Sequence, residues 1–375
     1  MGHDWRSRRK SGSAPPRILL VVDRCGPGDA LRVRGLVEAV CRAEPDAQVT
    51  LVCSEAATTV LRTASGPHRL VVSTLYSPRS GFGGRVRQAI ELMRLVREIG
   101  RGHDLVIVFQ WGGTLLDLMA RLTGRVRVGY ENALPWLLSC RLGRFTTASE
   151  VIQNRALLQV AGIEIGGTQD TPMFDDADLA RARDLMERVG LAGSERLVVL
   201  HTGSDWACQQ WAPERWAALA DHLRRRYGSD LVFTGVHGDS AHIDGVRGLL
   251  AVPHVGVQGR TTVRELAALI SLSRLCVTVD VATYELAQLA GVPVVVLAGP
   301  SRSDPLTAAS GARTVVNRTP PAERLAIGSC QQQFSAGRCQ NWSCPMAGLP
   351  RIAVQDVIDG IEQLGALPAL KALPS

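Results

Sequence analysis

The sequence predicts an α/β protein made of two similar domains with parallel sheets, and three observations carry that expectation. Short Val/Leu/Ile runs alternate with helix-period stretches along the chain, the pattern of parallel strands joined by crossover helices. At 375 residues the chain exceeds the usual size of one hydrophobic core and suits two domains. Between Gly166 and Asp178 the stretch GGTQDTPMFDDAD breaks all periodicity and carries a proline, which marks an interdomain linker.

Taken in order, residues 1–16 are basic and polar and read as a disordered tail. The apolar run after them, RILLVV, is too short for a signal peptide or a membrane span. The first domain, residues 17–168, is expected to hold strands at Arg17–Val22, Gln48–Cys53, Arg69–Ser73, Asp104–Phe109 and Arg125–Gly129. The helix after the first strand sets Leu31, Leu36, Val37 and Val40 on one face. The pattern restarts in residues 169–350, with a helix beginning near Asp178 and strands at Arg196–Leu200, Asp230–Thr234, Cys276–Val279, Val294–Leu297 and Arg313–Val316. Residues 351–375 contain a last helix expected to cross back to the first domain, followed by a tail. Two such Rossmann-like domains are expected to face one another across a central cleft lined by strand carboxyl ends.

Composition narrows the function classes. Hydrophobic residues make up 46% of the chain and aromatics 5%, a folded rather than a disordered composition. The net charge of +7 is almost wholly arginine, because Lys10 and Lys371 are the only lysines. No basic run with interleaved aromatics appears in the folded region, so a nucleic-acid partner is not expected, while anionic ligands fit. Nine scattered cysteines, an odd number without an export signal, point to reduced thiols in a cytoplasmic protein.

Three strand-to-helix loops of the second domain carry the chemistry. In LHTGSDWACQQWAPERWAAL, the residues Thr202, Gly203 and Ser204 offer hydroxyls and a free backbone to an anion, or form a plain turn. Trp211 and Trp216 beyond them are assigned to packing. In FTGVHGDSAH, Asp239 suits either a ribose diol or a helix N-cap. In VTVDVATYELAQLAG, Asp280 stands before a helix whose first amides can hold a diphosphate, and it suits a sugar hydroxyl or the cap. In the first domain DRCGPGDALRVRGL has Gly26 and Gly28 for a tight turn, then Asp29, placed as a base or as an N-cap.

These segments together resemble the heptosyltransferases, glycosyltransferase family nine, in a divergent, actinobacterial-type member. The resemblance runs from Arg17 to about Leu364 and includes GDAL, FQWGGTLLDLMARLTGRVRVGY, NRALLQVAGIEI, GRTTVRELAALISLSRLCVTVD and LAQLAGVPVVVLAGPSRSDP. It implies a GT-B fold and an inverting, metal-independent transfer of heptose from ADP-heptose, which enters as donor substrate with no cofactor. It also implies roles: Asp29 as general base, Asp239 on the ribose, Thr261 at adenine through its backbone, and Thr202, Gly203 and Ser204 along the phosphates. Asp280 would hold the donor sugar or diphosphate, with the amides of Val281 and Ala282 beside it.

The chain departs from the family pattern at two places. Gln209 stands where the family commonly has a lysine, so Arg302 is the expected replacement cation. The run DVATYE replaces a Ser/Thr-Gly-Pro and histidine pattern, with Glu285 near the histidine's place. Cys330, Cys339 and Cys344 lack C-x₂-C pairs and are expected to be packed thiols rather than a zinc site. The arginine bias favours a soluble acceptor of specialised metabolism, such as a nucleotide or aminoglycoside in antibiotic biosynthesis, and no integral membrane association. The alternatives are another nucleotide-sugar donor acting on a cell-envelope glycan, and a non-catalytic nucleotide-sugar-binding protein.

Overall fold

RILLVV becomes the central strand β1 (Arg17–Val22) of the first sheet, with every residue after Arg17 buried. A strand covered on both faces must be apolar throughout rather than alternating. The structure is a computed structural model. It describes residues 5–6, 14–23, 27–62, 66–67, 69–75, 82–109, 113–131, 134–143, 150–164, 173–203, 210–299, 313–316 and 349–368. The chain divides into two units, Met1–Asp170 and Thr171–Ser375.

After β1 the first unit runs α1 (Pro27–Ala43), β2 (Gln48–Ser54), α2 (Thr58–Leu61), β3 (Arg69–Ser73), α3 (Phe82–Ile99), β4 (His103–Val108), α4 (Thr114–Thr123), β5 (Gly124–Tyr130), β6 (Cys140–Leu142) and α5 (Glu150–Val160). The sheet is parallel in the order β3-β2-β1-β4-β5-β6, with Ile18 level with Val49 on one side and Leu105 on the other. The strand order reverses between β1 and β4, the switch point where open α/β sheets bind ligands. On one sheet face Leu92, Leu95, Val96 and Ile99 of α3 and Leu116, Met119 and Ala120 of α4 cover Leu19, Val21, Val106 and Val108. At the start of β5 only glycine fits, since a Cβ on Gly124 would lie 2.1 Å from Val106 Cγ2.

The tail is not wholly free, contrary to expectation. Trp5 is 1% exposed, and Arg6 donates to the Gly162 carbonyl and pairs with Glu44. Burying an indole outweighs the entropy of ordering two residues.

The second unit runs α6 (Asp176–Arg188), β7 (Leu197–His201), α7 (Pro213–Tyr227), β8 (Asp230–Thr234), α8 (Ser240–Gly248), β9 (His254–Gly256), α9 (Val263–Ser271), β10 (Leu275–Thr278), α10 (Val281–Leu289), β11 (Val294–Leu297), β12 (Arg313–Val316) and α11 (Val354–Leu364). Its parallel sheet has the order β12-β11-β10-β7-β8-β9, the same topology as the first, with the switch between β7 and β10. Helix α6 starts under a capping box of Asp175 and Asp178. The same two carboxylates receive Arg264 of α9, so the helix after the linker is clamped to its own unit.

The last helix, α11, belongs to the second unit. Val357, Ile358 and Ile361 join the second unit's core with Trp211, Trp216, Leu219 and Leu223, and the Trp211 indole N–H donates to the Ile352 carbonyl at 2.9 Å. The two tryptophans meet edge to face at 5.1 Å and are buried, so both pack. The segment 351–368 is apolar on one face because the open side of this sheet needs covering.

Candidate functional site

Strands β7, β8 and β10 each end in a polar residue after an apolar run: His201, Thr234 and Thr278. The register sets Thr234 and Thr278 on either side of His201, so the three following loops leave the sheet side by side at the switch point. The His201 ring bonds through Nδ1 to Thr234 Oγ1 at 2.9 Å. Burial pushes its pKa down, against the raising influence of Asp280 and Asp239, so at neutral pH the imidazole is uncharged.

The next residue, Thr202, is completely buried, and its hydroxyl has no hydrogen-bond partner among the described residues. Such an orphan at a strand end is costly unless a ligand satisfies it. Gly203 follows because nothing larger fits: a Cβ there would lie 2.0 Å from Asp239 Oδ2. Asp239 is buried in turn and accepts the Val236 amide at 2.9 Å through Oδ2. Asp239 stands at the N-cap position of α8 but makes no side-chain cap bond there; its bond to the Val236 amide caps the 3₁₀ turn His237–Asp239 instead, and Oδ1 makes no hydrogen bond among the described residues.

Asp280 is the N-cap of α10 and accepts from the Thr283 amide at 2.9 Å. Its own amide donates to Thr278 Oγ1 at 2.8 Å. Among the described residues the cap engages only Thr283, and the amides of Val281 and Ala282 are first-turn donors at the positive end of the helix. Thr261 lies just before the α9 cap, Thr262. Its turn is tied to the β8 exit by the Gly259 amide donating to the Gly235 carbonyl at 2.9 Å, with Gly259 at φ +67°.

The structure thus brings Thr202, Gly203, Asp239, Asp280, Val281 and Ala282 to one strand-end cluster, with Thr261 at its β8 side. Ser204, Gln209, Arg302, Cys330, Cys339 and Cys344 lie outside the described residues. In the first unit Asp29 sits in the first turn of α1, two residues past its start, so it is not the helix's N-cap; its side chain lies outside the described residues. His201, Thr234 and Thr278 were missed as site residues, although a polar residue closing each of three apolar strands was the signal for them. Among the described residues no helix is long and apolar enough to cross a membrane.

Comparison with known proteins agrees with this fold. The family model for glycosyltransferase family 9 (heptosyltransferase) matches residues 92–334. Lipopolysaccharide heptosyltransferase 3 of Escherichia coli K12 is 24% identical over 285 residues, covering 72% of this chain and 79% of that protein. A family 9 glycosyltransferase structure from Veillonella parvula DSM 2008 superposes with a TM-score of 0.75 at 20% identity, over 95% of this chain and 99% of that one. The E. coli ADP-heptose lipopolysaccharide heptosyltransferase II structure superposes with a TM-score of 0.64 at 18% identity, over 93% and 98%. The two parallel Rossmann-type sheets are those of the GT-B fold. With the family match spanning more than half of its length, the chain belongs to glycosyltransferase family 9, the heptosyltransferases.

Proposed function

We propose that this glycosyltransferase moves a heptose from ADP-heptose to an acceptor hydroxyl with inversion and without a metal, in the cytoplasm. The observation that carries the reading is the strand-end cluster of the second unit. It combines a buried Thr202 hydroxyl without a partner among the described residues, the first-turn amides of α10 and two carboxylates within one switch point. Donors aimed at a leaving diphosphate are worth most where its charge develops. The acceptor oxygen bonds to the heptose C1 as the C1–O bond to the diphosphate breaks, and ADP leaves with the electron pair. Asp29 takes the hydroxyl proton. Asp239 Oδ1 and the turn at Thr261 are assigned to the ribose and the adenine, and Asp280 to the donor sugar or diphosphate. Ser204 and Arg302 are assigned to the phosphates, where Gln209 supplies no charge.

Arginine-biased composition supports a soluble acceptor such as a nucleotide or aminoglycoside. A second reading, an acceptor on a cell-envelope glycan, is favoured by one observation: the exposed apolar stripe of α3, Val86, Ile90 and Met93. Calorimetry with ADP, ADP-heptose, GDP and UDP tests the donor. ADP-heptose and ADP are expected to bind and the other two not; preference for GDP or UDP overturns the donor assignment. Mass analysis of products from ADP-heptose with each acceptor class then separates the two acceptor readings.

A further inference from the structure

Helix α3 is apolar on two faces. Leu92, Leu95, Val96 and Ile99 face the sheet, while Val86, Ile90 and Met93, spaced by four and three residues, are 53%, 57% and 59% exposed. Single exposed apolar residues are ordinary, but three in helical register form a stripe. On the same sheet face as α3, the end of α4 exposes Leu122, and the 3₁₀ turn Pro135–Leu137 against α4 exposes Trp136 to 64%.

Among the described residues the exposed charges of α3 and α4 that lack an ion-pair partner have one sign. Glu91 and Glu98, the only acids of α3, are both taken by Arg94. Arg85, Arg87 and Arg97 of α3 and Arg121 of α4 are exposed and have no ion-pair partner among the described residues. Helical geometry puts Arg97 in line with the stripe and Arg87 along its edge. An apolar helix face with arginine flanks and a nearby exposed indole is the composition of a helix lying in a bilayer interface, where arginine heads reach the phosphates and apolar tips enter the acyl boundary.

We propose that this face of the first unit, built on Val86, Ile90 and Met93 with Arg85, Arg87, Arg97 and Arg121, docks on an anionic phospholipid surface. Charge selects this occupant. A second copy joined through the same patch sets arginine rim against arginine rim, which like charges disfavour, whereas an anionic headgroup layer satisfies all four guanidinium groups. The docking is peripheral, and it is independent of the donor assignment.

The test is co-sedimentation of the full chain with vesicles of phosphatidylcholine alone and of phosphatidylcholine mixed with phosphatidylglycerol. Binding is expected only to the anionic vesicles and is expected to weaken with added salt. The R87Q/R97Q variant is expected to lose about fivefold in partitioning for each arginine, and Ile90→Glu to lose sedimentation. Both variants are to keep the parent's thermal unfolding and its ADP-heptose affinity in vesicle-free buffer, which reads the donor site separately. Equal binding to the two vesicle types overturns the proposal, as does unchanged binding by the variants. A solution dimer that Ile90→Glu dissolves, without vesicle binding by the parent, also overturns it in favour of a second copy.

Discussion

The Asp239 carboxylate fills the space that a side chain on Gly203 would need, with Oδ2 2.0 Å from the Cβ position. Neither residue can be changed alone without disturbing the other. Gly203→Ala is expected to push Asp239 off the Val236 amide, at a cost of about 2 kcal/mol for a charge-assisted hydrogen bond. ADP affinity is expected to fall with it. Urea unfolding of Gly203→Ala, Asp239→Ala and the double variant checks this, because the double variant is expected to cost less than the sum. Additive costs would show that the contact carries no energy.

Asp280 combines two tasks that one substitution can divide. Asp280→Ala removes the cap on α10 and is expected to cost about 1 kcal/mol of stability, together with a loss of ADP-heptose affinity. Asp280→Asn keeps an oxygen for the Thr283 amide and is expected to keep the stability, while changing the charge beside the donor. Urea midpoints and calorimetry on both variants separate cap from charge. If Asp280→Asn bound ADP-heptose as the parent does, only the cap would remain as its role.

Much of this was legible in the sequence, and the omissions have physical causes. The long apolar runs forecast their strands because a strand buried on both faces has no polar residues to blur it. The short edge strands Cys140–Leu142 and His254–Gly256 were missed, since three residues carry too little pattern. The basic, polar composition of residues 1–16 suggested a free tail, but Trp5 is held by burial that no periodicity announces. The alternation of loops led to Thr202, Gly203, Asp239 and Asp280. It could not show that Asp239 presses on Gly203 from another strand's loop, because that contact joins residues distant in sequence. The apolar face of Val354–Leu364 was visible, but not which sheet it covers.

Asp29 is the assigned base, in the first turn of α1. Asp29→Asn is expected to lower turnover by about 10²–10⁴-fold, the usual worth of a positioned base, with ADP affinity unchanged because the proposed donor site belongs to the second unit. Product formation from ADP-heptose and calorimetry on the same preparation check both halves. Undiminished turnover would remove Asp29 from the mechanism. Lost ADP binding would give it a donor role instead.

His103 and Asp117 of the first unit are buried and set opposite pH slopes on its stability. Burial and the nearby Arg17 push His103 down to about 4, so the unfolded chain binds its proton first and stability falls as pH drops from about 6.5 to 4. Burial pushes Asp117 up to about 7. Here the native state holds the proton longer, and the stability present below the unfolded value of about 4 is lost as pH rises toward 7. Over the shared window the two effects oppose one another, each worth about 2 kcal/mol after allowance for solvent screening. Asp117→Asn is therefore expected to gain most over the parent near neutral pH and nothing near pH 4. His103→Gln is expected to differ from the parent in the opposite direction, gaining relative stability as pH falls below about 6.5. Urea midpoints across this range, taken as variant minus parent, cancel the slopes of the other titrating groups, and parallel curves would show that neither group titrates as its burial requires.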